Sequence, residues 1–228
     1  MLRDWWISSV NLLFPPHCAG CGNSGTDWCV HCDNETVRID KPFCLRCGRP
    51  HSQVVRKCSS CFEYPDKLRV RSYARYQGSL IKALLQLKYR PNRRLSALMA
   101  RWLAEVLEAA NWQATLVAAV PLSSKRRRSR GYNQSALIAR ELSAIMGLAY
   151  ASRAISRRRQ TKSQVGLDPS ARWQNVHQAF RAQPTQVDGH AIILVDDLIT
   201  TGATLSACAE ALVHAGARMI YGLTVARA

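Results

Sequence analysis

In this 228-residue sequence, Asp196-Asp197 is followed by Leu198-Ile199-Thr200-Thr201-Gly202-Ala203-Thr204. Two adjacent carboxylates can accept hydrogen bonds from neighbouring hydroxyls of a sugar, or assist a Mg²⁺-bound diphosphate. A turn of Thr hydroxyls and one glycine that opens a helix aims backbone N–H groups and the positive end of the helix dipole at one spot. That chemistry suits a phosphate monoester. A lone Asp-Asp would be a turn and a lone Thr an N-cap. The thirteen residues from Ile192 to Thr204 together predict a phosphate site instead. No Gly-Lys-Thr follows, so this is not a Walker A loop.

A second group is made of cysteines. Eight of the nine fall as Cys18-x-x-Cys21, Cys29-x-x-Cys32, Cys44-x-x-Cys47 and Cys58-x-x-Cys61. Two intervening residues let a tight turn point both sulfurs at one metal, which is half of a tetrahedral zinc site. Four pairs therefore supply two structural zinc sites of four thiolates each. A disulfide framework would need an oxidising compartment, and no export signal is legible. Two ligand pairings remain open: sequential ribbons, or a cross-braced arrangement that alternates the pairs. His17, His31 and His51 lie close by and are read as bystanders. Few aliphatic residues accompany the cysteines, so this segment needs its metal to fold. Cys208 stands alone in a helical stretch, where burial as a small apolar group is its default.

The third group is cationic. There are 32 Lys and Arg against 15 Asp and Glu, a net charge of +17. Between Lys125 and Arg172 lie 12 basic residues and only two acidic ones. Lys125, Arg126, Arg127, Arg128 and Arg130 place five cations in six residues, and Arg157, Arg158, Arg159 and Lys162 form a second cluster. A field of one sign favours polyanions such as nucleic acid, phosphorylated metabolites or anionic lipid; its bland counterpart is a solvated face. No stretch approaches the ~20 apolar residues that span a bilayer. Residues 5–14 resemble a short signal core but run into Pro15-Pro16-His17-Cys18 without a small-residue cleavage site, so they are read as an amphipathic helix. The protein is expected to be cytoplasmic.

The elements that must hold these groups follow from hydrophobic period. Leu68 to Tyr76 alternates like a strand, while Ser79–Leu87 and Leu95–Leu107 read as amphipathic helices. Leu116–Val120 is an apolar run, 133–146 is helical, and a short strand is expected near Leu148 to Ile155. Ala191–Val195 suits a buried parallel strand, Ala203–His214 a helix with Gly216 past its end, and Met219–Val225 a last strand. Alternating strands and helices predict an α/β fold, a doubly wound and mostly parallel sheet, in residues 66–228. Residues 1–65 form a small zinc-ribbon module before it. In such sheets ligands bind beyond the carboxyl ends of strands, which is where Asp196-Asp197 fall.

Ile192 to Thr204 resembles the signature of type I phosphoribosyltransferases. The wider chain resembles the ComF/GntX family, associated with competence and with use of external DNA. The residues that carry this are Leu13-Phe14-Pro15-Pro16-x-Cys18-x-x-Cys21, Leu87-Lys88-Tyr89, Val120-Pro121-Leu122, Arg130-Gly131-Tyr132-Asn133-Gln134, Thr161-x-x-Gln164 and Arg172-x-x-Asn175-Val176-x-x-Ala179-Phe180. The resemblance implies phosphoribosyl diphosphate with Mg²⁺ as ligand, Asp196 and Asp197 on the ribose hydroxyls, and Thr200, Thr201, Gly202, Ala203 and Thr204 around the 5-phosphate. It also puts a diphosphate loop after Val120, with Lys125–Arg130 behind it, and a lid at Arg157–Lys162. Purine-using relatives often carry an acidic residue where Thr200 stands, which leaves pyrimidine or amine acceptors open. A hood over the acceptor is expected from residues 71–112 or from the zinc module.

Two functions stand at this point. One is an enzyme transferring phosphoribosyl to an acceptor the sequence does not name. The other is a protein binding single-stranded DNA, or partners in DNA uptake or recombination, that keeps the donor site as a sensor; the basic belt and ribbons favour it.

Overall fold

The computed structural model describes residues 15–61, 64–158 and 179–228. The expected amphipathic helix at residues 5–14, and Arg159 and Lys162 of the second basic cluster, lie outside them.

Past the short helix α1 (Val30–Asn34), the chain runs β1 (Leu68–Arg75), α2 (Ser79–Tyr89), α3 (Arg93–Ala110), β2 (Leu116–Ala119), α4 (Ser124–Arg130), α5 (Gln134–Met146) and β3 (Ala149–Tyr150). It continues through β4 (Ile155–Arg157), β5 (Phe180–Ala182), α6 (Pro184–Val187), β6 (Ala191–Ile199), α7 (Ala203–His214) and β7 (Met219–Arg227). Five strands make one parallel sheet in the order β1-β7-β6-β2-β3. Strands β4 and β5 pair antiparallel in a separate ribbon.

Side chains of the central strand β6 alternate between two cores, as a strand's period of two demands. Ile193 and Val195 join Leu84, Met99, Leu103 and Leu142 of α2, α3 and α5 on one face. Ile192 and Leu194 join Leu205, Ala209 and Leu212 of α7 on the other. This is why Ile192-Ile193-Leu194-Val195 reads as unbroken apolar sequence: both of its faces are covered.

Three sequence expectations change. The strand expected near 148–155 is two strands, β3 in the parallel sheet and β4 in the antiparallel ribbon, divided by a turn at residues 152–153. Strand β6 runs past the apolar run to Ile199, because Asp196, Leu198 and Ile199 keep register with Thr224, Ala226 and Arg227 of β7. The cations after Val120 lie on a helix, α4. Its N-cap Ser123 accepts the amide of Arg126 at 3.3 Å, and Gly131 ends it in the left-handed region at φ 77°.

The cysteine-rich segment straddles β1. The chain between the two cysteine quartets runs antiparallel along this strand: Arg75 N–H donates to Val37 O and Ile39 N–H to Tyr73 O. On the α3 face, Trp28 meets Trp102 edge-on with ring centroids 5.3 Å apart. On the α7 face, the last four zinc-type cysteines share a buried cluster with Val70 and Leu205. Val70 N–H donates to Arg46 O at 2.7 Å, and the Arg227 guanidinium donates to Cys47 O.

Candidate functional site

Among the described residues, the cysteines converge in two quartets, Cys18, Cys21, Cys29 and Cys32, then Cys44, Cys47, Cys58 and Cys61. The pairing is therefore sequential. A zinc–sulfur bond of about 2.3 Å in a tetrahedron holds sulfurs about 3.8 Å apart. Sγ separations of 3.6 Å for Cys18–Cys32 and for Cys21–Cys29 fit that spacing, as do 3.8 Å for Cys44–Cys61 and 3.6 Å for Cys47–Cys58. Burial opposes ionisation of Cys18, yet amide donors from Cys21 and Cys29 outweigh it and lower the thiol to about 6. The histidines join neither quartet; His31 instead faces Glu35 at 3.2 Å.

Asp196 and Asp197 lie near the carboxyl end of β6, where the sheet's register holds their backbone. Asp196 Oδ1 accepts from the Ser135 hydroxyl at 2.9 Å and from the Asp197 amide at 2.9 Å. Burial, and then the neighbouring Asp197 carboxylate, push its pKa up to about 8 despite these donors. Asp197 is 5% exposed, and its Oδ2 lies 3.2 Å from Lys88 Nζ. That contact is an ion pair without hydrogen-bond alignment.

The chain then turns through Thr200 and Thr201 into α7, with Gly202 as N-cap at φ 86°. Asp196 and residues 198–205 line one concave surface. Thr201 Oγ1 accepts the amide of Ala203, the first residue of α7, at 3.4 Å. Glycine is required at 202 for two reasons. Its backbone is left-handed, and a Cβ would lie 1.6 Å from the hydroxyl oxygen of Tyr64, which reaches in from beside the second cysteine quartet. That hydroxyl donates to Thr201 O at 3.1 Å.

The basic clusters take definite positions. Lys125, Arg126, Arg127 and Arg128 are exposed on α4, and Arg130 is half-buried, donating to Gln134 at 3.0 Å. Arg157 lies half-buried on β4 with its guanidinium 5.2 Å from the Phe180 ring centroid. Burial depresses its pKa, Cys208 nearby works against that, and the Arg126 charge adds to it. Arg158 is exposed. Cys208 is fully buried in α7.

Sequence reasoning missed Lys88, Ser135 and Tyr64 as members of this site. Lys88 and Ser135 stood within or beside quoted motifs, a usable signal. Tyr64 had none, because its contact spans 137 positions.

Residues 9–62 match the double zinc ribbon domain, and residues 86–227 match the phosphoribosyl transferase domain. DNA utilization protein YhgH of Escherichia coli K12 is 33% identical over 198 residues, covering 84% of this chain and 86% of that protein. The chain belongs to the ComF/GntX family. Another relative, competence protein F of Haemophilus influenzae, is 27% identical over 197 residues, covering 82% of this chain and 85% of its own. Glutamine phosphoribosylpyrophosphate amidotransferase from B. subtilis, a solved structure, overlaps 62% of this chain and 30% of its own at a TM-score of 0.43, with 17% identity. Of the motifs of ComF/GntX likeness, Leu13-Phe14, Thr161-x-x-Gln164 and Arg172-x-x-Asn175-Val176 lie outside the described residues, and the others have places. The Tyr132 hydroxyl donates to Leu87 O at 2.6 Å, and Asn133 Nδ2 donates to Val120 O at 2.9 Å. Lys88 and Ser135 then meet the two carboxylates. No helix among the described residues is long and apolar enough to cross a membrane.

Proposed function

We propose that this ComF/GntX protein binds phosphoribosyl diphosphate with Mg²⁺ and transfers the phosphoribosyl group to a pyrimidine-type or amine acceptor, in the use or uptake of DNA. One observation carries the reading: a pair of carboxylates near the end of the central strand is followed at once by a glycine-capped helix start. The first turn of α7, with Thr200, Thr201 and Thr204, would hold the 5-phosphate. Asp196 and Asp197 would accept the ribose hydroxyls, and Lys88 would balance their charge. Mg²⁺, when bound, would neutralise the diphosphate. In the transfer, the C1–O bond to diphosphate breaks and its electron pair leaves with the diphosphate, as the acceptor nitrogen bonds C1 and releases its proton to solvent. Lys125, Arg126, Arg127 and Arg128, with Arg157 and Arg158, supply positive potential for the departing anion. Exchange of labelled diphosphate into phosphoribosyl diphosphate, across a panel of bases and amines, tests this. Exchange with one acceptor class is expected; tight binding without exchange for any would remove the transferase part.

A second reading rests on α4, where four consecutive cations are exposed beside Tyr89, itself 72% exposed, with Arg130 5.9 Å from its ring centroid. Charge plus an open aromatic face suits single-stranded DNA. Under it, the donor site acts as a sensor without turnover.

A further inference from the structure

The phosphate loop is built from residues of the α/β sheet, yet one of its walls comes from the cysteine-rich segment. Tyr64 follows the last zinc-type ligand, Cys61, by three positions, and its amide donates to Cys61 O at 3.2 Å. The Arg46 guanidinium, from the same segment, donates to the carbonyl of Tyr64 and to Asp66 Oδ1 at 2.8 Å. The backbone of Tyr64 is therefore set by the second quartet and its surroundings. Its side chain is 4% exposed and reaches the loop, where the hydroxyl donates to Thr201 O and occupies the space a Gly202 Cβ would need.

A donor on the Thr201 carbonyl orients the peptide plane between Thr201 and Gly202. The amide of Gly202 belongs to that plane, and the first turn of α7 follows it. Rotating this plane would re-aim the N–H groups that a phosphate uses. We infer that Tyr64 is a positioning residue for the phosphate loop, and that through it the second four-cysteine site and phosphate binding are energetically coupled. The inference rests on the functional reading above for its ligand, though not for its geometry. Coupling of this kind is reciprocal. Whatever orders the loop must also steady Tyr64 and the cysteine turn behind it, and loss of the metal must loosen the loop.

Tyr64→Phe removes the donor and keeps the ring, while Tyr64→Ala removes both. Amide hydrogen exchange at residues 202–206, on ligand-free full-length protein with its zinc content checked, reads the loop directly. Exchange should quicken in Tyr64→Phe and more in Tyr64→Ala, at unchanged metal content. With ribose 5-phosphate as probe, Tyr64→Phe should bind roughly 3- to 10-fold more weakly, the range expected for one lost neutral hydrogen bond. Ribose 5-phosphate should also slow transfer of zinc from wild type to a chelator, and should do so less in Tyr64→Phe. A role in stability alone would lower the melting temperature and leave loop exchange, affinity and ligand-slowed zinc release at wild-type values; that result overturns the inference. Wild type failing to bind ribose 5-phosphate would instead remove the functional reading, while the exchange comparison would still decide the role of Tyr64.

Discussion

Lys88, at the end of α2, places its ammonium 3.2 Å from the buried carboxylate of Asp197. The two carboxylates of the site are adjacent in sequence, and Lys88 is the cation that faces the buried one, Asp197. Removing one member of a buried pair leaves the other uncompensated. Lys88→Met should therefore destabilise the fold by on the order of 3 kcal/mol and also weaken phosphoribosyl diphosphate binding. Chemical denaturation and calorimetry on the same variant check both; wild-type stability would show the pair to be dispensable.

Asp197→Asn should abolish phosphoribosyl diphosphate binding, because both a sugar diol and a Mg²⁺-bound ligand call for a carboxylate acceptor. The sheet register should survive, since β6 is held there by backbone bonds to β7. Calorimetry showing unchanged affinity would displace the ligand from this site.

Asp196 behaves differently. An acid with a raised folded pKa holds more protons folded than unfolded between the ordinary carboxylate range and about 8. Unfolding free energy must then fall as pH rises through that window. Asp196→Asn removes the penalty, so its melting temperature should exceed that of wild type by several degrees at pH 8, with a smaller gain at pH 6. The same variant should lose ligand affinity. A midpoint below wild type at pH 8 would overturn the assignment.

Metal analysis should find two zinc ions per chain, one for each quartet. The quartets differ in what they support. Cys44 is fully buried in the cluster shared with Val70 and Leu205, whereas Cys21 is exposed. Sequence alone suggests that Cys44→Ser would unfold the ribbon module and spare most of the sheet. With this core shared, Cys44→Ser should also disturb β1 and slow or abolish ligand binding, and Cys21→Ser should do so far less. Equal effects in hydrogen exchange over β1 would contradict this.

If α4 holds a nucleic-acid backbone, log affinity for single strands should fall with log salt at roughly −0.7 per phosphate neutralised. Replacing Lys125, Arg126, Arg127 and Arg128 by Gln should flatten that slope, with little change in sequence preference. Filter binding at several salt concentrations reads this, and a flat wild-type response would leave the helix as solvated surface.

The parts of this molecule legible in sequence are those with local causes. Strands β1, β2 and β7 and helices α2, α3, α5 and α7 announce themselves by period, because each buries a stripe or a face. Helix α4 does not, since Lys125–Arg130 offers no apolar position; Ser123 and Gly131 were its only marks. Asp196 to Ile199 continues the strand beyond the point where polar residues break the apolar run, because pairing with β7 outweighs local composition. The loop Thr200–Thr204 was legible because its chemistry is contiguous. Ser135 on Asp196, Lys88 on Asp197 and Tyr64 on Thr201 were not, for each contact is made by the fold.

The place of β7 between β1 and β6 has a consequence for biosynthesis. Ser72 and Thr224, whose hydroxyls meet at 2.7 Å, are 152 positions apart. As the chain leaves the ribosome, β1 emerges long before the strand it will lie beside. Such distant parallel pairing is slow to form and leaves a sticky border waiting. Residues 37–39 emerge earlier and lie along the other border of β1. All eight ligands of the two quartets are also synthesised before β1. With metal bound, this segment would be the first neighbour the nascent strand meets, a chaperone carried in the same polypeptide, and starving cells of zinc during synthesis should then cost more soluble protein than stripping zinc from the finished fold.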